Sequence, residues 1–258
     1  MKKERRADLM LGVVVTCWGF SFFLTDLATK DLETFNLNAF RFLIAFLICA
    51  VIFRTHLRRV SRPTLLWSLL AGAILSAMYA FMNLGVANTT LSNSGFLCQL
   101  TVIVTPFLSA LLNRTRPPLK IYAASFLCLG GIALLTLTDG FSINRETVRG
   151  DIFCLLCGIV YAVQIVTVER AVKNEQVDPL QLGILQLGVT GAISLLLSIF
   201  TEDPHFPQSK TTWLAPLLLA VFCTGLAFVV QSVAQKYTPA THVSLIFSLE
   251  PVIAAFVA

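Results

Sequence analysis

Along its 258 residues the chain alternates long apolar runs with short polar joints. The runs are Leu9–Thr29, Ala39–Phe53, Leu65–Leu84, Gly95–Leu112, Ile121–Leu137, Ile152–Val168, Leu180–Phe200, Trp213–Val230 and Thr241–Ala258. Most come close to the roughly 17–25 residues a helix needs to cross a bilayer. The pattern therefore predicts nine membrane-spanning helices, since a water-facing globule shows such runs once or twice and not nine times in succession. The head "MKKERRADLMLGVVV" has the basic start and apolar body of a signal peptide. Its apolar stretch runs on to Asp26 without a small-residue cleavage site, so it is expected to stay as the first span.

Composition agrees: 56% of residues are hydrophobic and 13% charged, with a mean hydropathy of +0.80. A soluble domain carries about 45–50% apolar and about 25% charged residues. The net charge of +5 is unevenly placed. With the amino terminus in the cytoplasm, that side collects Lys2, Lys3, Arg5, Arg6, Arg54, Arg58, Arg59, Arg62, Arg114, Arg116, Lys120, Arg170, Lys173 and Lys236. The other side receives Lys30, Arg145, Arg149 and Lys210. This bias predicts an inner or plasma membrane protein with a cytoplasmic N-terminus. The basic residues sit in short separate loops and form no single face, so no nucleic-acid partner is expected. All seven cysteines fall within spans, and Cys154-x-x-Cys157 lies on an apolar helix where cysteine acts as a small hydrophobe. No cofactor or metal site is indicated.

The chain also repeats itself. A shift of 143 lays Asp8 on Asp151, Trp18 on Tyr161, Ser21 on Gln164, Asp26 on Glu169 and Lys30 on Lys173. A shift of 147 lays "AFMNLGVAN" on "AFVVQSVAQ", and one of 145 brings Pro106 onto Pro251. Five spans per repeat is odd, so the second copy enters the membrane from the opposite side. The expectation is an all-α polytopic membrane protein of two inverted repeats: residues 1–138, a connecting loop 139–150, and residues 151–258. Nine of ten helices are present, and the tenth is expected beyond Ala258. Inverted repeats are frequent in secondary transporters, which expose a midplane site to each side in turn.

"WGFSF" at Trp18–Phe22, "AFRFLIAFL" at Ala39–Leu47, "VANTT" at Val86–Thr90, "GFLCQLTVIVTPFLSALL" at Gly95–Leu112, "GGIALL" at Gly130–Leu135 and "LEPVIAAFVA" at Leu249–Ala258 resemble the EamA-type members of the drug/metabolite transporter superfamily. The resemblance covers essentially the whole chain. It implies a ten-helix carrier with both termini in the cytoplasm and a central cavity lined by both repeats, acting mainly as an exporter of amino acids and related metabolites. The chain departs from the family pattern at Asn113–Pro118, where an acidic residue is usual.

Polar residues at matching depth in the two repeats are the candidate substrate contacts. Trp18, Ser21 and Thr25 share a face of the first span, and Tyr161 and Gln164 the matching face of the sixth. The third span offers Ser76, Tyr79 and Asn83, the eighth Thr224 and Gln231, and the fourth and ninth Gln99 and Ser244. Such side chains either line a substrate cavity or join neighbouring helices by hydrogen bonds.

Glu250 stands apart, because an acid at the centre of a span costs roughly 2.5–3.5 kcal/mol on insertion scales. It is expected to carry a coupling proton or to receive a substrate ammonium; the alternative is a neutral carboxyl bonded to a neighbouring helix. Pro251 after it predicts a kink. His242, at the start of the same span, is a candidate proton relay. Arg41 is read as snorkelling to the interface, with a hold on a substrate carboxylate as the alternative. The chain has no HExxH, no GxSxG and no pair of intramembrane aspartates, which speaks against an integral-membrane enzyme. A channel or a non-transporting accessory subunit is the remaining competitor. The expected partners are a small-molecule substrate, the bilayer and a coupling proton.

Overall fold

The computed structural model describes residues 2–114, 117–137, 146–208 and 210–257; Arg116, Arg145 and Ala258, named above, lie outside them. Every described element is helical, as hydrocarbon demands: a span that meets no water must satisfy its N–H and C=O groups internally. The helices are α1 (Lys2–Ala28), α2 (Thr34–Ile52), α3 (Arg62–Val86), α4 (Leu91–Cys98), α5 (Thr101–Asn113), α6 (Leu119–Thr136), α7 (Val148–Lys173) and α8 (Pro179–Thr201). After them come α9 (Lys210–Leu218), a π-helical stretch Leu219–Leu226, α10 (Ala227–Gln235), α11 (Ala240–Phe247) and α12 (Glu250–Val257).

Seven helical segments among the described residues are long and apolar enough to cross a membrane, and the shorter apolar segments Leu119–Leu135 and Ala240–Phe256 join them. The chain is thus an all-helical, polytopic integral membrane protein. Local chemistry starts several helices. Ser61, Thr90 and Asp178 each accept a backbone N–H from the first turn of α3, α4 and α8. Pro63 and Pro179 occupy starting positions where the missing N–H costs nothing.

Two apolar runs are broken midway. The fourth separates into α4 and α5 at Gln99–Leu100, and the ninth into α11 and α12 at Ser248–Leu249. At each break the chain tightens: Leu100 N–H reaches the Leu97 carbonyl at 3.2 Å, and Leu249 N–H the Ile246 carbonyl at 3.1 Å. Pro251 lies just inside α12, so the expected kink is a full break that turns Glu250 into the first residue of a half-helix. A third irregularity is the π-helical stretch, three residues beyond Pro216 of α9.

Helices from the two halves of the chain interleave: α3 packs on α7 and α8, α2 on α8, and α1 on α10 and α12. Small residues permit the closest crossings. The Gly72 carbonyl accepts a hydrogen bond from Thr190 at 3.1 Å, and a Cβ at Gly72 would meet the Gln186 carbonyl at 2.8 Å. Helix ends meet on two faces. On one, rich in Lys and Arg, the Gln176 carbonyl accepts from Ser61 at 2.8 Å, and Thr238 donates to Asp8 at 3.2 Å. On the other, Glu202 accepts the backbone N–H groups of Phe35 and Asn36 at 2.8 and 2.6 Å. There too Asp151 accepts from Thr89 and, at 3.0 Å, from Asn93.

Candidate functional site

A cavity of about 200 Å³ lies between the two halves. It reaches from a cluster of aromatic rings at the centre toward Thr25 and Thr34, which flank the α1–α2 connection on the face opposite the basic one. Its size falls below the roughly 300–1,000 Å³ of drug-sized ligand pockets.

The floor is aromatic. Trp18 of α1 packs edge-on against Phe247 of α11, with ring centroids 4.7 Å apart, and against Phe228 of α10 at 5.3 Å. Tyr161 of α7 stacks on Phe247 at 6.3 Å. The Trp18 indole N–H donates to the Cys223 carbonyl at 2.9 Å, within the π-helical stretch. That bond fixes the indole plane, and π-helical turns recur at functional sites.

Arg41 is only 4% exposed and lines the cavity, which corrects the reading of a side chain reaching for the interface. The physical reason is the start of α2 at Thr34: Arg41 lies two turns inside the helix, and Thr34, Leu37, Asn38 and Arg41 share the face turned to the cavity. Its Nε donates to Thr224 Oγ1 at 2.8 Å and Nη2 to the Tyr79 hydroxyl at 3.4 Å, while the guanidinium sits 5.3 Å from the Tyr79 ring centroid. Glu250 faces the same cavity from the start of α12, where a helix N-terminus favours an anion. Gln99, from the break between α4 and α5, lines the same cavity.

Two further cavity residues carry unused donors. Asn38 Nδ2 and Asn83 Nδ2 are buried and find no partner among the described residues. A buried polar group left unpaired is rare in a folded protein and calls for an explanation.

Of the residues singled out from sequence, Trp18, Ser21, Thr25, Tyr79, Asn83, Gln99, Tyr161 and Glu250 all line this cavity. Gln164, Gln231 and Ser244 are fully buried and do not. Ser244 donates to the Thr241 carbonyl of its own helix at 3.0 Å, and Ser76 to Gly72 at 2.8 Å. Thr224 stands behind the cavity wall as the acceptor for Arg41. His242 is exposed on the basic face and is not among the cavity residues. Sequence reasoning missed Asn38 and the cavity thiols Cys98 and Cys157; the α2 face shared with Arg41 was the signal for the first. All seven cysteines are free. Among the described residues no three His, Cys, Asp or Glu side chains form a metal-holding group.

The model of the EamA-like transporter family matches residues 5–137 and 148–258. Two proteins of Archaeoglobus fulgidus, each described as an uncharacterized transporter, are similar along the chain. One is 28% identical over 256 residues, covering 98% of this chain and 77% of its own length. The other is 27% identical over 258 residues, covering 98% and 88%. One solved crystal structure shares the fold with a TM-score of 0.84 at 20% identity, over 98% of this chain and 87% of its own.

Proposed function

We propose, since the chain belongs to the EamA-like transporter family, that it is a secondary carrier for a small zwitterionic metabolite of the amino-acid class. On this reading it works by alternating access and exports its substrate from the cell. The family and the transporter relatives point to transport and away from enzymatic chemistry.

One observation carries the substrate class: Arg41, with the unpartnered donors of Asn38 and Asn83, and Glu250 face one small cavity. A guanidinium offers a planar fork that matches a carboxylate, and the two amides add the remaining donors. Glu250 receives the ammonium at the other end. Trp18, Tyr79 and Tyr161 give the rest of the molecule an aromatic wall, which also favours a cation over its ring faces. Between substrates Glu250 takes a proton, since an uncompensated carboxylate within the membrane is costly; loading and release of that proton couple flux to the pH gradient.

On this reading alternating access comes from two inverted repeats that move against each other. The family match in two successive segments, the breaks in both the fourth and the ninth run, and the recurrence of an aspartate–threonine bond at Asp8–Thr238 and Asp151–Thr89 support such a pseudo-two-fold design. The closed aromatic floor favours a carrier over an open pore. On this reading the basic face lies in the cytoplasm of a cell bounded by an inner or plasma membrane, and the positive-inside bias supports it.

Counterflow in proteoliposomes tests this reading. Vesicles preloaded with an unlabelled amino-acid panel should accumulate the matching labelled compound transiently and saturably, and an imposed pH gradient should change the rate in wild type but not in Glu250→Gln. Absence of counterflow for every zwitterion tried, with protein correctly inserted, overturns it.

A further inference from the structure

Gln164 and Gln231 lie just past the aromatic floor. Tyr161 and Phe228 face the cavity on α7 and α10, and Gln164 and Gln231 follow them at i+3 on the same helical faces. Gln235, one turn further, is the last residue of α10 at the basic face. The stripe that lines the cavity therefore continues through the floor to the other side of the membrane.

Five side chains meet there, Gln164, Gln186, Gln231, Ser232 and Gln235, each with 0% exposure. Their bonding is loose. Gln164 Nε2 reaches Gln186 Oε1 at 3.5 Å, and Gln231 Nε2 reaches Gln164 Oε1 at 3.4 Å and Gln235 Oε1 at 3.2 Å. Gln186 Nε2 donates to Ser232 Oγ at 3.1 Å, and Gln235 Nε2 to the Ile165 carbonyl at 2.9 Å. Gln231 Oε1 is buried with no partner among the described residues. Two of these contacts exceed the usual 2.7–3.2 Å, and a network serving only to join helices gains nothing from an orphaned carbonyl.

We propose that this amide cluster is a second substrate station, the closed half of the transport path on the basic side. The Trp18–Phe228–Phe247–Tyr161 cluster is the septum that separates it from the cavity. The proposal rests on the carrier reading. Its ligand is the same zwitterion, because a primary amide both donates and accepts and so meets carboxylate and ammonium alike. Being uncharged, the amides hold the substrate without trapping it, as a passage toward release requires.

The test places a cysteine at the station, Gln231→Cys, in the full chain. Membrane-impermeant MTSET is added to one face of oriented membranes at a time, and adducts are counted by peptide mass spectrometry. Native Cys98, which lines the cavity, reports access from the face opposite the basic one in the same molecules. The thiol introduced by Gln231→Cys should react from the basic face. Adding Phe247→Ala, which removes one aromatic contact of the septum, should raise its reaction from the opposite face about two- to tenfold. If Gln231→Cys does not yield monodisperse protein, Gln235→Cys carries the same expectation. An introduced thiol, in whichever of the two variants is monodisperse, that stays unmodified from the basic face while Cys98 reacts from the other overturns the proposal. Labelling as expected without any counterflow would sink the carrier reading and the substrate station with it, leaving only a water-accessible amide cluster on the basic side.

Discussion

Arg41 Nε donates to Thr224 Oγ1 at 2.8 Å, so the guanidinium in the wall of the cavity is held by the opposite half of the chain. A hydrogen bond to a charged group contributes about 1.5–3 kcal/mol. Thr224→Val keeps the shape and removes the acceptor, and should weaken apparent substrate affinity roughly tenfold or more with the expressed amount of protein unchanged. Arg41→Lys retains the charge but loses the fork. Its counterflow should fall further than that of Thr224→Val.

Glu250→Gln preserves size and hydrogen bonding and removes the charge. Counterflow between equal pools should persist at reduced affinity, while the acceleration by a pH gradient disappears. Glu250→Asp, one methylene shorter, should retain a pH response at a lower rate. Initial rates at fixed substrate across a series of imposed gradients separate the two.

Crossings that need glycine give a stability prediction with a built-in control. A Cβ at Gly150 would lie 2.3 Å from the Asn88 carbonyl, between α7 and the turn after α3, where backbone cannot yield. Gly150→Ala should destabilise by about 1–3 kcal/mol. Gly12 in the interior of α1 has nothing within 4 Å of its would-be Cβ, and Gly12→Ala should be neutral or stabilising by up to about 1 kcal/mol. Thermal unfolding in detergent reads both.

Asp31, in the α1–α2 connection, accepts the Gln208 backbone N–H at 3.0 Å, and this bond with that of Thr212 lowers its carboxyl below the ordinary aspartate range. A depressed carboxylate contributes stability above its unfolded value of about 4 and loses it as pH falls through the folded one. Asp31→Asn should therefore lower the melting temperature between pH 5 and 8, where the wild-type carboxylate is ionised and held by these bonds. Below about pH 4 wild type should lose stability that Asp31→Asn does not. Parallel melts at pH 7 and pH 3.5 check the sign.

The spans were legible because length and apolarity alone decide whether a helix crosses lipid. Their interruptions were not. Pro106 sits inside α5, well after the break at Gln99–Leu100, whereas Pro251 lies beside its own break. The shift that lays one proline on the other therefore pairs Gln99 with Ser244, while the residue that takes the place of Gln99 at the second break is Ser248. Arg41 was hidden by Asn36 and Asn38, whose polarity moves the start of the second apolar run to Ala39 and puts the arginine near an end. Gln164 and Gln231 show the limit of face arithmetic: the period of a helix finds the side a residue points to, but the depth of a cavity along that side is set by what blocks it. Here the block is a ring cluster assembled from α1, α7, α10 and α11.

The most direct measurement of the central claim is inhibition of counterflow by matched analogues of one transported amino acid, with either the carboxylate or the ammonium removed. With Arg41 and Glu250 each holding one end, the intact zwitterion should compete and both analogues should fail by tenfold or more in apparent affinity. Arg41→Gln should erase the preference for the carboxylate while Glu250→Gln erases that for the ammonium. An analogue lacking one charged group that competes as well as the parent, with the same profile in both variants, would contradict recognition between Arg41 and Glu250.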